Sequence, residues 1–256
     1  MKSRIVTIAR YTVLEAVRTR LPLLTLVVIG VLLGASFFVR EIAITESGRF
    51  QTAFYAATVR FAAVFIAALY VIASVTREFQ DKGLDVALAL DLPRSHYILG
   101  KLAGFLTIGA ALSVSVGIPL FALSGWEPVL QWTASLACEL AVVIALALFC
   151  VVTFNNLMPA VSFVVAFYLL ARALTAIRLI GANPVSGADA LSHRVMTWFV
   201  EGLALVVPSL DAWTRTAWLV DQAAPWSDLL AISARGALFV LILAAAAIFD
   251  MQRRNF

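Results

Sequence analysis

The sequence predicts an all-α polytopic membrane protein. Of its 256 residues 62% are hydrophobic and only 13% charged, and the mean hydropathy is +0.97. The apolar residues also gather into six runs, each close to the roughly 20 residues that a membrane-crossing helix needs. A water-soluble domain of this size could not cover its core with so few polar side chains. The formal charge of +4 falls on the flanks of the apolar runs, without a basic cluster interleaved with aromatics. It suits anchoring at a membrane surface and membrane lipids as neighbours, not nucleic-acid binding. With no repeat, linker or soluble segment, residues 1–256 read as one transmembrane domain.

Taken in order, residues 4–20 form an amphipathic helix. Ile5, Ile8, Ala9, Val13 and Ala16 share one side, and Arg4, Thr7, Tyr11, Glu15 and Arg18 the other, a pattern suited to lying in the headgroup plane. The opening residues, MKSRIVTIARYTVLEAVRTRLP, are not expected to act as a cleavable signal peptide. Their apolar run starts only near Leu21, and no A-x-A-like site closes it. The first span is expected over Leu21 to Val39, with Pro22 tolerated in its first turn, followed by a polar loop from Arg40 to Arg49. The second covers Phe54 or Phe61 to Val75, the third Leu102 to Leu123, and the fourth Trp132 to Phe154. The fifth covers Ala160 to Ile180 and the sixth Leu229 to Phe249. Residues 181–228 between the last two form an extracytoplasmic segment. Within it, 191–207 is apolar enough to touch lipid, but His193, Arg194 and Glu201 make crossing costly. A second short helix follows Ser209, a plausible cap. Two short helices in the outer leaflet are therefore expected; a seventh span there would place the C-terminal arginines outside.

Orientation follows from lysine and arginine near the spans. Lys2, Arg4, Arg10, Arg18 and Arg20, then Arg77, Lys82, Arg94 and Lys101, and finally Arg253 and Arg254 all fall on one side when six spans are counted. That side is expected to be the cytoplasm, with both termini on it. All six tryptophans fall on the other side, where an apolar ring with a polar N–H suits the membrane interface.

Absent motifs narrow the chemistry. No G-x-x-x-x-G-K-[ST] loop exists, because Gly100-Lys101 is followed by Leu102; the chain is not expected to hydrolyse ATP by itself. His96 and His193 fall on opposite sides and no H-E-x-x-H or cysteine cluster accompanies them, so no metal site is expected. No G-x-S-x-G elbow is present, and the chain is not expected to be an enzyme. Cys138 and Cys150 lie twelve residues apart in one run, about 18 Å along a helix and too far for a disulfide.

Two features carry functional weight. Glu139 and Arg172 are ionisable residues within apolar runs, where charge demands a reason. If the fourth and fifth spans are antiparallel neighbours the two could pair. Otherwise Arg172 snorkels to the surface and Glu139 is protonated or faces a wet cavity. The second feature is the polar hairpin 77–101, REFQDKGLDVALALDLPRSHYILGK, which is longer than a simple connection needs. Leu84, Leu88 and Leu92 recur four residues apart between charged flanks and make an apolar stripe suited to docking a soluble partner.

The pattern resembles the permease subunits of ABC-2 type ATP-binding-cassette exporters. The carrying residues are Arg77-Glu78 at the end of the second span, Gly83 leading into the leucine-rich 84–90, Pro93-Arg94, and Gly100-Lys101 opening the third span. The two short outer helices and the arginine-containing C-terminus resemble that family as well. Asp91, where a small or apolar residue is commoner, and the long outer segment depart from it. The resemblance implies two permease chains, identical or different, seated on two cytoplasmic ATPase subunits that bind ATP and Mg, in a bacterial cytoplasmic (inner) membrane. It makes 77–101 a coupling hairpin, with Arg77, Glu78, Asp81, Gly83, Leu84, Leu88, Pro93, Arg94 and Lys101 facing the ATPase, and Asn155 and Asn156 a smaller second contact. A secondary transporter, with a charge relay or broken helices at mid-membrane, and a membrane scaffold that moves nothing are the alternatives.

Overall fold

Each apolar run becomes a helix that continues past its own hydrophobic stretch, because polar residues outside the hydrocarbon keep their backbone hydrogen bonds helical as readily as apolar ones do. The computed structural model describes residues 2–80, 93–182, 198, 200–202, 207–221 and 223–253. Within them lie α1 (Lys2–Arg18), α2 (Leu21–Ile42), α3 (Ser47–Gln80), α4 (Arg94–Gly117), α5 (Trp126–Phe154), α6 (Leu157–Ala182), the short α7 (Ala217–Val220) and α8 (Trp226–Arg253). No strand occurs among the described residues. The protein is an all-α polytopic membrane protein. Six described helices, α2 to α6 and α8, are long and apolar enough to cross a membrane.

Every span exceeds its expected bounds at one end at least, and the second, fifth and sixth do so at both. The second span extends to the 34 residues of α3, about 50 Å at 1.5 Å per residue. The loop expected over residues 40–49 shrinks accordingly. Arg40 and Glu41 end α2, Ser47 to Arg49 open α3, and Glu46 turns the chain with φ 51°. Pro22 sits in the first turn of α2 as the sequence indicates. Pro119, lacking an N–H, converts the end of α4 into a 3₁₀ turn, Ile118–Ala122. Asn155 ends α5 in the left-handed region at φ 55°, and its N–H donates to the Val151 carbonyl at 3.0 Å, a conformation asparagine tolerates well.

α5 is the axis of the bundle. In its most apolar stretch 72% of residues are buried, against 17% for α2 and for α8. α3, α4, α6 and α8 all pack on α5, while α2 leans on α3 alone among the spans it contacts closely. Six crossings place the two chain termini at one end of the bundle, called here the terminal end; the other is the distal end.

The expected packing face of α1 (Ile5, Ile8, Ala9, Val13 and Ala16) is buried or partly buried, and it lies against α4. Close approach is possible because α4 presents Gly100 and Gly104. A Cβ on Gly100 would sit 2.7 Å from the Ile8 Cβ, and one on Gly104 2.7 Å from the Thr12 Cβ. Both clash with the root of a side chain, so the helix itself would have to move. Gly100→Ala and Gly104→Ala are each expected to destabilise the protein by about 1–3 kcal/mol, read as an earlier thermal transition in detergent.

Three expectations change. Glu15, assigned to the solvent side of α1, turns inward (below). Ser209 makes no capping bond, and the segment after it is a single 3₁₀ turn, Leu210–Ala212, before α7. Trp132 and Trp213 are fully buried, so only part of the tryptophan set has the exposure of an interface belt (Trp126, Trp198 and Trp226). Gly236 on α8 leaves room for the Trp213 ring, 3.2 Å from where its Cβ would be. Of the helix expected over 191–207, Trp198 and residues 200–202 are described and helical; most of the rest lies outside the described residues. Cys138 and Cys150 are both free thiols.

Candidate functional site

The candidate residues fall into two polar nodes, one toward each end of the bundle. At the terminal end, Glu78 occupies the last turns of α3 and Lys101 the second turn of α4. The Lys101 ammonium, 4% exposed, is ion-paired with Glu78 and stands 3.7 Å from Glu15 Oε2 on α1. The Ser74 hydroxyl donates to Glu15 Oε1 at 3.0 Å, and the Tyr97 hydroxyl donates to Glu78 Oε2. Lys101 also lies 5.7 Å from the centre of the Phe105 ring, close enough for a cation–π contribution. One buried cation thus ties three helices together where α3 leaves for the 77–101 hairpin and α4 returns from it.

Arg94 makes a fourth attachment. Its Nη1 donates to the carbonyls of Met251 at 2.9 Å and Gln252 at 3.4 Å, covering backbone acceptors that the end of α8 leaves open. Arg77, Pro93, Asn155 and Asn156 are exposed at the same end. Asp81, Gly83, Leu84 and Leu88 lie outside the described residues. Glu78, Arg94 and Lys101 are therefore engaged inside the bundle, whereas Arg77, Pro93 and the two asparagines offer surface.

The second node surrounds Glu139, near the midpoint of the 29-residue α5 and fully buried. Its Oε1 accepts from the Tyr168 hydroxyl at 2.9 Å and from Arg172 Nη1 at 3.3 Å, both on α6. Its Oε2 accepts from the Thr214 hydroxyl. Arg172 donates as well to the Leu210 carbonyl at 2.8 Å and the Trp213 carbonyl at 3.4 Å. Arg60 of α3 donates to the Thr214 carbonyl at 2.9 Å, and the Thr214 N–H donates to Ser135 Oγ at 3.0 Å.

Thr214, fully buried with φ 49°, belongs to a stretch of chain that is neither helix nor sheet. Unwound backbone inside an apolar bundle must find partners for its N–H and C=O groups. Here three side chains from three spans, Arg60, Ser135 and Arg172, supply them, so the node fixes residues 210–214 against α3, α5 and α6. Two guanidiniums lie near the Glu139 carboxylate, Arg172 as its ion-pair partner and Arg60 within electrostatic reach.

Sequence reasoning placed Glu139 and Arg172 and missed the rest. Arg60 stands in an apolar run too, but nothing in the sequence ties it to Glu139. Tyr168, Ser135 and Thr214 carry no charge and give no signal. Tyr168→Phe removes one of the three donors to Glu139 and is expected to cost about 1–1.5 kcal/mol, measured by thermal unfolding in detergent. Among the described residues no cluster of His, Cys, Asp or Glu could hold a metal ion. Comparison of the sequence with models of known protein families and with curated proteins finds no match to either.

Proposed function

We propose that the chain is the transmembrane subunit of an ATP-driven exporter of the ABC-2 type. It would lie in a bacterial cytoplasmic membrane with both termini on the cytoplasmic side, work as a dimer of permease chains, and be driven by two separate ATPase subunits. One observation supports this most directly. The helices on either side of the 77–101 hairpin are joined to α1 through Lys101 and Glu15 and to α8 through Arg94, so a displacement delivered to the hairpin is shared at once by four helices. The sequence has no phosphate-binding loop of its own, and such a joint is what a machine driven from another chain requires. Arg77, Asn155 and Asn156 remain exposed at that end for contact with the partner, which would hold the ATP and Mg.

Purification of the full chain with whatever adheres to it tests the reading. A stoichiometric ATPase is expected, and its absence would point instead to a secondary transporter. A non-ATPase partner would point to a scaffold. In the reconstituted complex, Gly83→Pro and Arg77→Ala are expected to leave ATP hydrolysis running while transport is lost; unaltered coupling in both would remove the hairpin from the mechanism. The secondary-transporter reading draws on the distal node, where a buried carboxylate meets unwound backbone, as in carriers with broken helices.

A further inference from the structure

We propose that the cleft between α1, α2 and α3 at the terminal end is a binding site for one anionic phospholipid. The cleft, about 570 Å³, falls within the usual range of small-molecule sites. It has two unlike halves. Its mouth is formed by Arg20, at the corner between α1 and α2, and by Arg77, near the end of α3; its floor is the apolar surface of Leu24, Val27 and Val28 on α2. That floor lies within the apolar window of a membrane span, and the mouth lies where the span begins, so the cleft runs from headgroup level into the hydrocarbon. Leu24 and Val27 remain half exposed, because α2 leans on α3 without being enclosed.

The charge at the mouth selects the headgroup. Glu15 also lines the cleft, but its carboxylate is engaged by Ser74 and faces Lys101. Neither Arg20 nor Arg77 forms an ion pair with a described residue. Two guanidiniums that pair with no described residue, set above an apolar cleft, match a phosphate carried on acyl chains and leave a zwitterionic headgroup with no advantage. The Tyr70 hydroxyl, near Thr19 but without a well-formed hydrogen bond, lines the same wall as a further donor. Arg20 holds φ 60°, a conformation that glycine or asparagine adopts more cheaply; turning the chain alone does not call for arginine.

Native mass spectrometry of the purified full chain tests the site, with phosphatidylglycerol, phosphatidylcholine and inorganic phosphate as probes. The wild-type chain is expected to retain one phosphatidylglycerol in preference to phosphatidylcholine by on the order of thirtyfold, the product of two arginines at the membrane surface. Arg20→Asn, which suits the left-handed backbone, combined with Arg77→Gln is expected to abolish the preference. Val27→Trp is expected to reduce binding of both lipids by filling the channel, and Arg40→Gln with Arg178→Gln, away from the cleft, to leave the preference intact. Equal retention of the two lipids by the wild-type chain would overturn the proposal whatever the variants do. A preference that survives in the Arg20/Arg77 variant would overturn it too, as would displacement of phosphatidylglycerol by inorganic phosphate alone. The site stands or falls independently of any ATPase.

Discussion

Glu139→Ala is expected to destabilise the protein by about 3–5 kcal/mol, the usual cost of removing one partner from a buried ion pair. The loss is large because the substitution does more than delete a contact. Arg172 and Arg60 would remain in the bundle as like charges without a counter-ion, and the Tyr168 and Thr214 hydroxyls would lose their acceptor. Glu139→Gln, which keeps an acceptor oxygen but no charge, should lose less. The damage should also have an address: limited proteolysis is expected to cut within residues 207–221 before it cuts elsewhere, since the node is what fixes that segment. Combining Glu139→Ala with Arg172→Met should recover part of the loss, because one of the two stranded charges goes with it. If Glu139→Ala melts with the wild-type protein and is cut no faster, the node does not hold the segment.

Lys101→Met is the second large effect, expected at about 3 kcal/mol or more. Lys101 is the cation shared by Glu15 and Glu78; without it two carboxylates face each other between α1, α3 and α4, and the helices must part to let water in. Met keeps the apolar stem over Phe105, so the lost term is chiefly the charge. Adding Glu15→Gln and Glu78→Gln to Lys101→Met is expected to restore most of the stability. A triple variant no more stable than Lys101→Met alone would mean that the lysine acts through packing. Thermal transitions of the purified variants in one detergent make the comparison.

The six spans were legible because length and apolarity are strong local signals. Their ends were not: residues such as Ser47 to Thr52 or Arg94 to Gly100 lie outside the apolar windows, and nothing in their polarity distinguishes helix from loop. The two nodes show the same division. Glu139 and Arg172 stood out as charges in apolar runs, and their contact needed only that successive spans be neighbours. Glu15 was placed on the wrong side of α1 because it lies at the edge of the packing face. Ser74 and Lys101, 59 and 86 positions away in sequence, draw it inward. Thr214 was illegible in principle, since an unwound stretch is defined by what solvates it, and those groups come from α3, α5 and α6. The tryptophans followed the same logic: Trp132 and Trp213 are aromatic in composition and core in position, a distinction that tertiary packing alone creates.

The distal node also sets an order of assembly. α5 and α6 are consecutive, so Glu139 can meet Arg172 as soon as the second of them leaves the ribosome, and the two charges can enter the bilayer as one neutral hairpin. Thr214 is made 42 residues after Arg172, and until it arrives Glu139 lacks its third donor and Arg60 the carbonyl it binds. The node is therefore complete only once the segment before the last helix is in place. A nascent chain that stalls before residue 214 would carry an incompletely solvated carboxylate inside the membrane.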